Sequence, residues 1–90
     1  MEFEWDEAKR DSNIAKHGLD FVRIARLLDG PHVTKRASGA HGEERLLLTG
    51  KLDSRAVTAV VTWRGERMRI ISLRSARNDE WRGYQALHGG

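Results

Sequence analysis

Arg67-Met68-Arg69-Ile70-Ile71-Ser72-Leu73-Arg74-Ser75-Ala76-Arg77 sets an apolar, β-branched centre between arginines at both ends. Met68 and Ile70 alternate with Arg67 and Arg69, the period-2 pattern of a half-buried strand. The phase then slips. Ile70 and Ile71 are adjacent, and after them Ile71 and Leu73 are apolar while Ser72 and Arg74 are polar. Either both faces are covered at this point or a β-bulge re-aims the later side chains, and a bulge brings Arg67, Arg69, Ser72 and Arg74 to one side. Without such an irregularity Arg69 and Arg74 lie on opposite faces and cannot share one phosphate.

Working outward, the short Arg64-Gly65-Glu66 turn joins this strand to Ala56–Trp63. The tight Asp53-Ser54-Arg55 turn joins that in turn to Glu44–Leu52, giving an antiparallel meander. His32 to Ala37 reads as a weaker strand, followed by a flexible connection, Ser38-Gly39-Ala40-His41-Gly42. On the C-terminal side Asn78 caps a final helix with Asp79 and Glu80 in its first turn. Trp81, Tyr84 and Leu87 or His88 lie along one side of it, and Gly89-Gly90 should fray.

The N-terminal third is different. Glu2-Phe3-Glu4-Trp5 alternates as a short strand, and Asp6 caps a helix from Glu7 to about His17 that Gly18 stops. The apolar content of this helix, Ala8, Ile14 and Ala15, is thin, so it depends on tertiary packing. Lys9, Asn13, Lys16 and His17 share one of its faces. A second helix starts at Asp20, with Leu19 placed to staple onto Ile24. Its core stripe is Phe21, Ile24, Ala25 and Leu28, widened by Val22 and Leu27, and Asp29-Gly30-Pro31 ends it. The expected product is one α+β domain over residues 1–90: an antiparallel sheet of about four or five strands, two N-terminal helices packed on one face, and a C-terminal helix nearby. One sheet face stays open, and the arginines lie there.

The charge is asymmetric in the same sense. Residues 1–30 carry 5 basic and 7 acidic side chains, whereas residues 31–90 carry 11 basic and 6 acidic. From Arg64 to Arg82 there are six arginines, three acids and no lysine, a bias toward the planar fork that holds phosphate or carboxylate. A polyanion or an acidic partner is implied, against the alternative of a merely solvated basic face. No apolar run is long enough to span a membrane, and the first residues lack the basic start of a signal peptide, so a cytoplasmic location is expected. The absence of cysteine removes disulfides, thiol nucleophiles and thiolate metal sites. His17, His32, His41 and His88 are scattered without metal-ligand spacing, and no cofactor loop is present, so neither metal nor cofactor is expected.

Metal-free cleavage of RNA needs only such residues. The 2′-hydroxyl is the nucleophile, and the protein positions the phosphodiester, offsets transition-state charge and moves protons. Arg69 and Arg74 suit the charge. His17, at a helix C-terminus where the dipole favours a cation, or Lys16 beside it, suits the proton transfer. A capping or packing histidine is the alternative for His17. Lys9, Arg67 and Arg77 add RNA-binding charge. Glu80 and Tyr84, four apart, face the same way, and Glu80 is expected to pair with Arg74 or Arg77. Trp5, Trp63 and Trp81 are expected to pack. A non-catalytic nucleic-acid module and a protein-interaction domain remain as alternatives for the same arginine face.

Phe3-Glu4-Trp5-Asp6 with Lys9, Asn13 and Lys16-His17-Gly18, then Gly42-Glu43-Glu44-Arg45 leading to Gly50, then Ile70-Ile71-Ser72-x-Arg74-x-Ala76 with Glu80 and Tyr84, resembles the BrnT family of toxins over nearly the whole chain. Leu73 stands where family members more often have alanine, and the Arg36 to Gly42 connection matches less closely. The resemblance implies a RelE-like fold and a bacterial type II toxin that cuts RNA without a metal and inhibits translation and growth. It also implies a neutralising BrnA-type antitoxin with a ribbon-helix-helix part, in a hetero-oligomer that binds promoter DNA and represses its own promoter.

Overall fold

The structure is a computed structural model and describes residues 1–39 and 42–89; the middle of the 38–42 connection, with His41, and Gly90 lie outside the described residues. The elements run β1 (Glu2–Glu4), α1 (Glu7–His17), a 3-10 turn (Phe21–Arg23), α2 (Ile24–Asp29), β2 (His32–Ser38), β3 (Glu44–Leu52), β4 (Arg55–Arg64), β5 (Arg67–Ser75) and α3 (Asn78–His88). They form the expected α+β fold around one five-stranded sheet of order β1-β5-β4-β3-β2. The meander β2 to β5 is antiparallel. β1 instead runs parallel to β5, Phe3 beside Met68 and Glu4 beside Arg69, so the sheet is mixed.

The phase slip in β5 is a bulge. Val60 pairs with Ser72 and Val61 with Ile70, which leaves Ile71 as the extra residue. Met68, Ile70 and Leu73 consequently all turn into the core, while Arg67, Arg69, Ser72 and Arg74 sit opposite Arg64, Thr62, Val60 and Thr58 on the other face. The core joins Leu19, Phe21, Ile24 and Leu27 to Leu48, Leu52, Val57, Ala59 and Val61 of the sheet, with Phe3, Trp5, Leu28 and Leu46 at its border. Gly50 permits this layer to close: a Cβ there would meet Leu27 Cδ1 and the Pro31 carbonyl oxygen, each at 2.9 Å.

Several local expectations change. The second helix opens as a 3-10 turn, whose three residues per turn align Phe21, Ile24 and Leu27 toward the core and leave Val22, 51% exposed, and Ala25 in solvent. The N-cap of α3 is Arg77 rather than Asn78, because Glu80 reaches back to accept from the Arg77 backbone N–H at 2.8 Å. Helix α3 packs over β2 and β3 on the face expected to be open, so only the part of that face toward the β4–β5 turn remains uncovered. Tyr84 is buried there, stacked on Trp81 with centroids 4.6 Å apart, whereas Leu87 points outward. Trp5 meets Phe21 edge-on, but Trp63, at the end of β4, is 47% exposed rather than packed.

Helix α1 is seated by an amide instead of an apolar stripe. Asp6 caps it through the Ala8 and Lys9 N–H groups, Gly18 ends it at φ 67°, and Ile14 stays exposed. Its buried residue is Asn13, whose Nδ2 donates to the carbonyls of Leu19 and Leu73 at 2.9 and 2.8 Å and whose Oδ1 accepts from the Leu73 N–H at 3.1 Å. Arg10 adds a bidentate pair with Asp20 that holds the Asp20 carboxyl below its ordinary range. Asn13→Ala strands one buried N–H and two buried carbonyls, so we expect a loss of about 3 kcal/mol in urea unfolding, against less than about 0.5 kcal/mol for Ser12→Ala on the exposed side.

Candidate functional site

Three rungs cross this sheet face. Nearest α3 is Val33–Thr49–Thr58–Arg74, then Lys35–Leu47–Val60–Ser72, and farthest out Thr62–Arg69–Glu4. Arg69 and Arg74 thus share a face on either side of Ser72, as the bulge requires. Beside Ser72, where β1 has ended and α1 lies along the sheet edge, a shallow cavity of about 160 Å³ is lined by Lys9, Ser12, Asn13, Lys16, His17, Ile71 and Ser72. The helix face inferred from the spacing of Lys9, Asn13, Lys16 and His17 therefore borders the bulge itself.

Each arginine of β5 has a carboxylate. Arg67 Nε donates to Glu2 at 2.9 Å in solvent, and Arg69 Nη1 donates to Glu4 at 2.6 Å, half-buried. These pairs follow from the parallel docking of β1, which sets Glu2 and Glu4 directly beside them. Arg74, 16% exposed, forks onto both oxygens of Glu80, 7% exposed, at 2.8 and 2.9 Å. Glu80 Oε1 also accepts from Thr58 Oγ1 at 3.0 Å, and Thr58 shares a hydrogen bond with Thr49. Arg74 is thereby aimed rather than consumed, since a guanidinium has five N–H groups, of which two are spent on Glu80 and a third on the Ser75 carbonyl at 3.2 Å.

The other sequence-derived candidates separate. Arg77 engages Glu80 only through its backbone, and its side chain projects into solvent beyond the strand. Tyr84 lies under α3 with Trp81 and His88, away from the exposed rungs, and acts by holding that helix. Sequence reasoning missed Arg55, which donates to the His17 carbonyl at 3.1 Å and to Ser75 Oγ at 2.8 Å, closing the C-terminus of α1 onto β5. It had been assigned to a turn, and nothing in its neighbours marks it.

The Arg74 guanidinium, with the Arg77 N–H and Thr58, holds the Glu80 carboxyl down at about 2. A carboxyl lowered on folding contributes stability that is present above its unfolded value and lost as pH falls through the folded one. Unfolding free energy should therefore drop by about 3 kcal/mol between about pH 5 and pH 2 through this group, and Glu80→Gln should flatten that part of the urea-denaturation profile.

A family model described as "Ribonuclease toxin, BrnT, of type II toxin-antitoxin system" matches residues 5–80. Among solved structures, the 1.1 Å crystal structure of the Brucella abortus ribonuclease toxin, BrnT, is similar with a TM-score of 0.68. The two share 33% sequence identity, over 87% of this chain and 99% of that one. Comparison with curated proteins gives no match. With the motifs along α1 and β5 falling inside the matched region and the fold shared over most of its length, the chain belongs to the BrnT family, the ribonuclease toxins of type II toxin–antitoxin systems.

Proposed function

We propose that this toxin cleaves RNA without a metal ion, at the junction of α1 and the bulged strand. The observation that carries the reading is the bulge at Ile71, which sets Ser72 between Arg69 and Arg74 and against the cavity lined by Lys9, Lys16 and His17. An RNA phosphodiester seated at Ser72 has carboxylate-held arginines on the sheet side and ammonium and imidazole groups on the helix side. The 2′-oxygen attacks phosphorus and the 5′-oxygen leaves, giving a 2′,3′-cyclic phosphate and a 5′-hydroxyl. Arg69 and Arg74 offset the charge gathering on the phosphoryl oxygens. His17 or Lys16 takes the 2′-hydroxyl proton or supplies one to the leaving oxygen. Lys9 and Arg67 extend the binding track at the two ends, with Arg77 on the α3 side, and Glu80 keeps Arg74 aimed.

The family supports a reading of the partners. The substrate is RNA, and the neutralising protein is read as a BrnA-like antitoxin with a ribbon-helix-helix part, the complex binding promoter DNA in the cytoplasm. No helix among the described residues is long and apolar enough to cross a membrane.

In buffer containing EDTA the purified protein should cut RNA to cyclic-phosphate ends. His17→Ala and Arg69→Ala should each slow cleavage by about a hundredfold. Arg74→Lys, which keeps charge and loses the fork, should slow it while circular dichroism shows a folded protein. Cleavage that appears only on adding a divalent cation would overturn the metal-free reading, and wild-type rates in both arginine variants would remove β5 from the site.

A further inference from the structure

Arg45 and Arg64 are the strand arginines of this face without an ion pair among the described residues, and of the two only Arg45 is half-buried. Its side chain belongs to the same face as Leu47 and Thr49, since alternation sends Leu46 and Leu48 toward the core. One step beyond the Leu46–Val61 pair it adjoins Thr62, which pairs with Arg69, so Arg45 and Arg69 lie on the same rung two strands apart. Arg67, Arg69 and Arg74 are each matched to a carboxylate, whereas Arg45, half-buried, has no ion pair among the described residues, and its Nε is buried without a hydrogen-bond partner among them. A buried guanidinium N–H left unmet is costly unless an acceptor completes it.

The residue is also held in place. Gly39 lies against its stem so closely that a Cβ there would be 2.4 Å from Nε and 2.8 Å from Cδ. The Gly39 N–H donates to the Glu43 carbonyl at 2.6 Å, which fixes Gly39 over the side chain. Between Arg45 and the Arg74 rung lie Leu47 and Val60, paired, half-buried and apolar. We infer that Arg45, pinned beneath Gly39, is a second phosphate-holding residue of the RNA site, binding the phosphodiester next along the strand while the intervening nucleotide lies over Leu47 and Val60. The inference rests on the proposed location of the RNA on this face and extends it from one phosphate to two. Confinement under Gly39 means that little side-chain freedom is lost when the phosphate binds.

The test uses a single-stranded 2′-O-methyl oligoribonucleotide, which lacks the nucleophile, with affinity read by fluorescence anisotropy over a range of salt and cleavage of the matching RNA assayed in parallel. Arg45→Ala should weaken binding by about tenfold and reduce the slope of log affinity against log salt by about 0.7, the value for one phosphate contact on a single strand. Arg45→Lys should keep the slope and lose part of the affinity. Gly39→Ala leaves every charge in place but dislodges the guanidinium, so it should weaken binding in the same direction and add nothing to Arg45→Ala in the double variant. If Arg45→Ala is poorly folded by circular dichroism, the Arg45→Lys and Gly39→Ala results decide. Wild-type affinity and salt slope in these variants, in a protein that still cleaves RNA, would overturn the role of Arg45 alone. Failure of the wild-type protein both to bind the oligonucleotide and to cleave RNA would instead overturn the ribonuclease reading, and Arg45's role with it.

Discussion

The Asn13 carboxamide holds the working parts of this molecule together. β1 pairs with β5 only as far as the Glu4–Arg69 step, and past that point the outer edge of β5 would present its backbone to solvent. The amide answers both the N–H and the carbonyl of Leu73, as a neighbouring strand would, and with its second proton secures the Leu19 carbonyl where the chain leaves α1. One side chain thus ends a sheet edge and docks a helix with little apolar surface of its own. Because Lys9 and Lys16 lie on the same helix face, their distance from Ser72 is fixed by that contact. Chemistry that must divide phosphate binding and proton transfer between two elements depends on their spacing.

The charge arrangement has a second logic. Arginines on β5 are bonded to Glu2, Glu4 and Glu80, so the strand carries less net positive charge than its sequence suggests but far more orientation. An arginine held by a carboxylate presents its remaining N–H groups in a set direction and needs little reorganisation when charge develops on a ligand. In the proposed site Lys9, Lys16 and Arg45 would supply the charge that attracts a polyanion. The work of attraction and the work of alignment fall on different residues.

Much of this was legible in the sequence, for identifiable reasons. The adjacency of Ile70 and Ile71 in an otherwise alternating strand can hardly be met without an irregularity, and that one feature foretold which arginines share a face. The cap at Asp6 and stop at Gly18 bounded α1 because both act through local backbone geometry. What failed depended on distant partners. Glu2-Phe3-Glu4 alternates as well for a parallel neighbour as for an antiparallel one, so its pairing was invisible. The spacing of Phe21, Ile24 and Leu27 by threes is present in the sequence, but a 3.6-residue reading adds Ala25, which is exposed, and puts Leu27 only at the margin of the stripe. Asn13 was read as one polar residue among four because nothing in its neighbours tells that its amide meets a backbone sixty residues away. Arg45 figures in the sequence only as the end of the Gly42-Glu43-Glu44-Arg45 motif, since its confinement comes from Gly39 across the connection.

The parallel docking of β1 has a bearing on when the toxin becomes dangerous. Glu2 to Glu4 must wait for Arg67 to Arg69 to exist before they can pair, and Asn13 must wait for Leu73. Ordering these contacts closes loops of sixty residues or more, among the slower steps available to a small domain. A growing chain accordingly carries α1 and its lysines long before it carries the strand against which the proposed site is built. The topology itself sets an interval between synthesis and harm, during which a partner made alongside can meet an unfinished site.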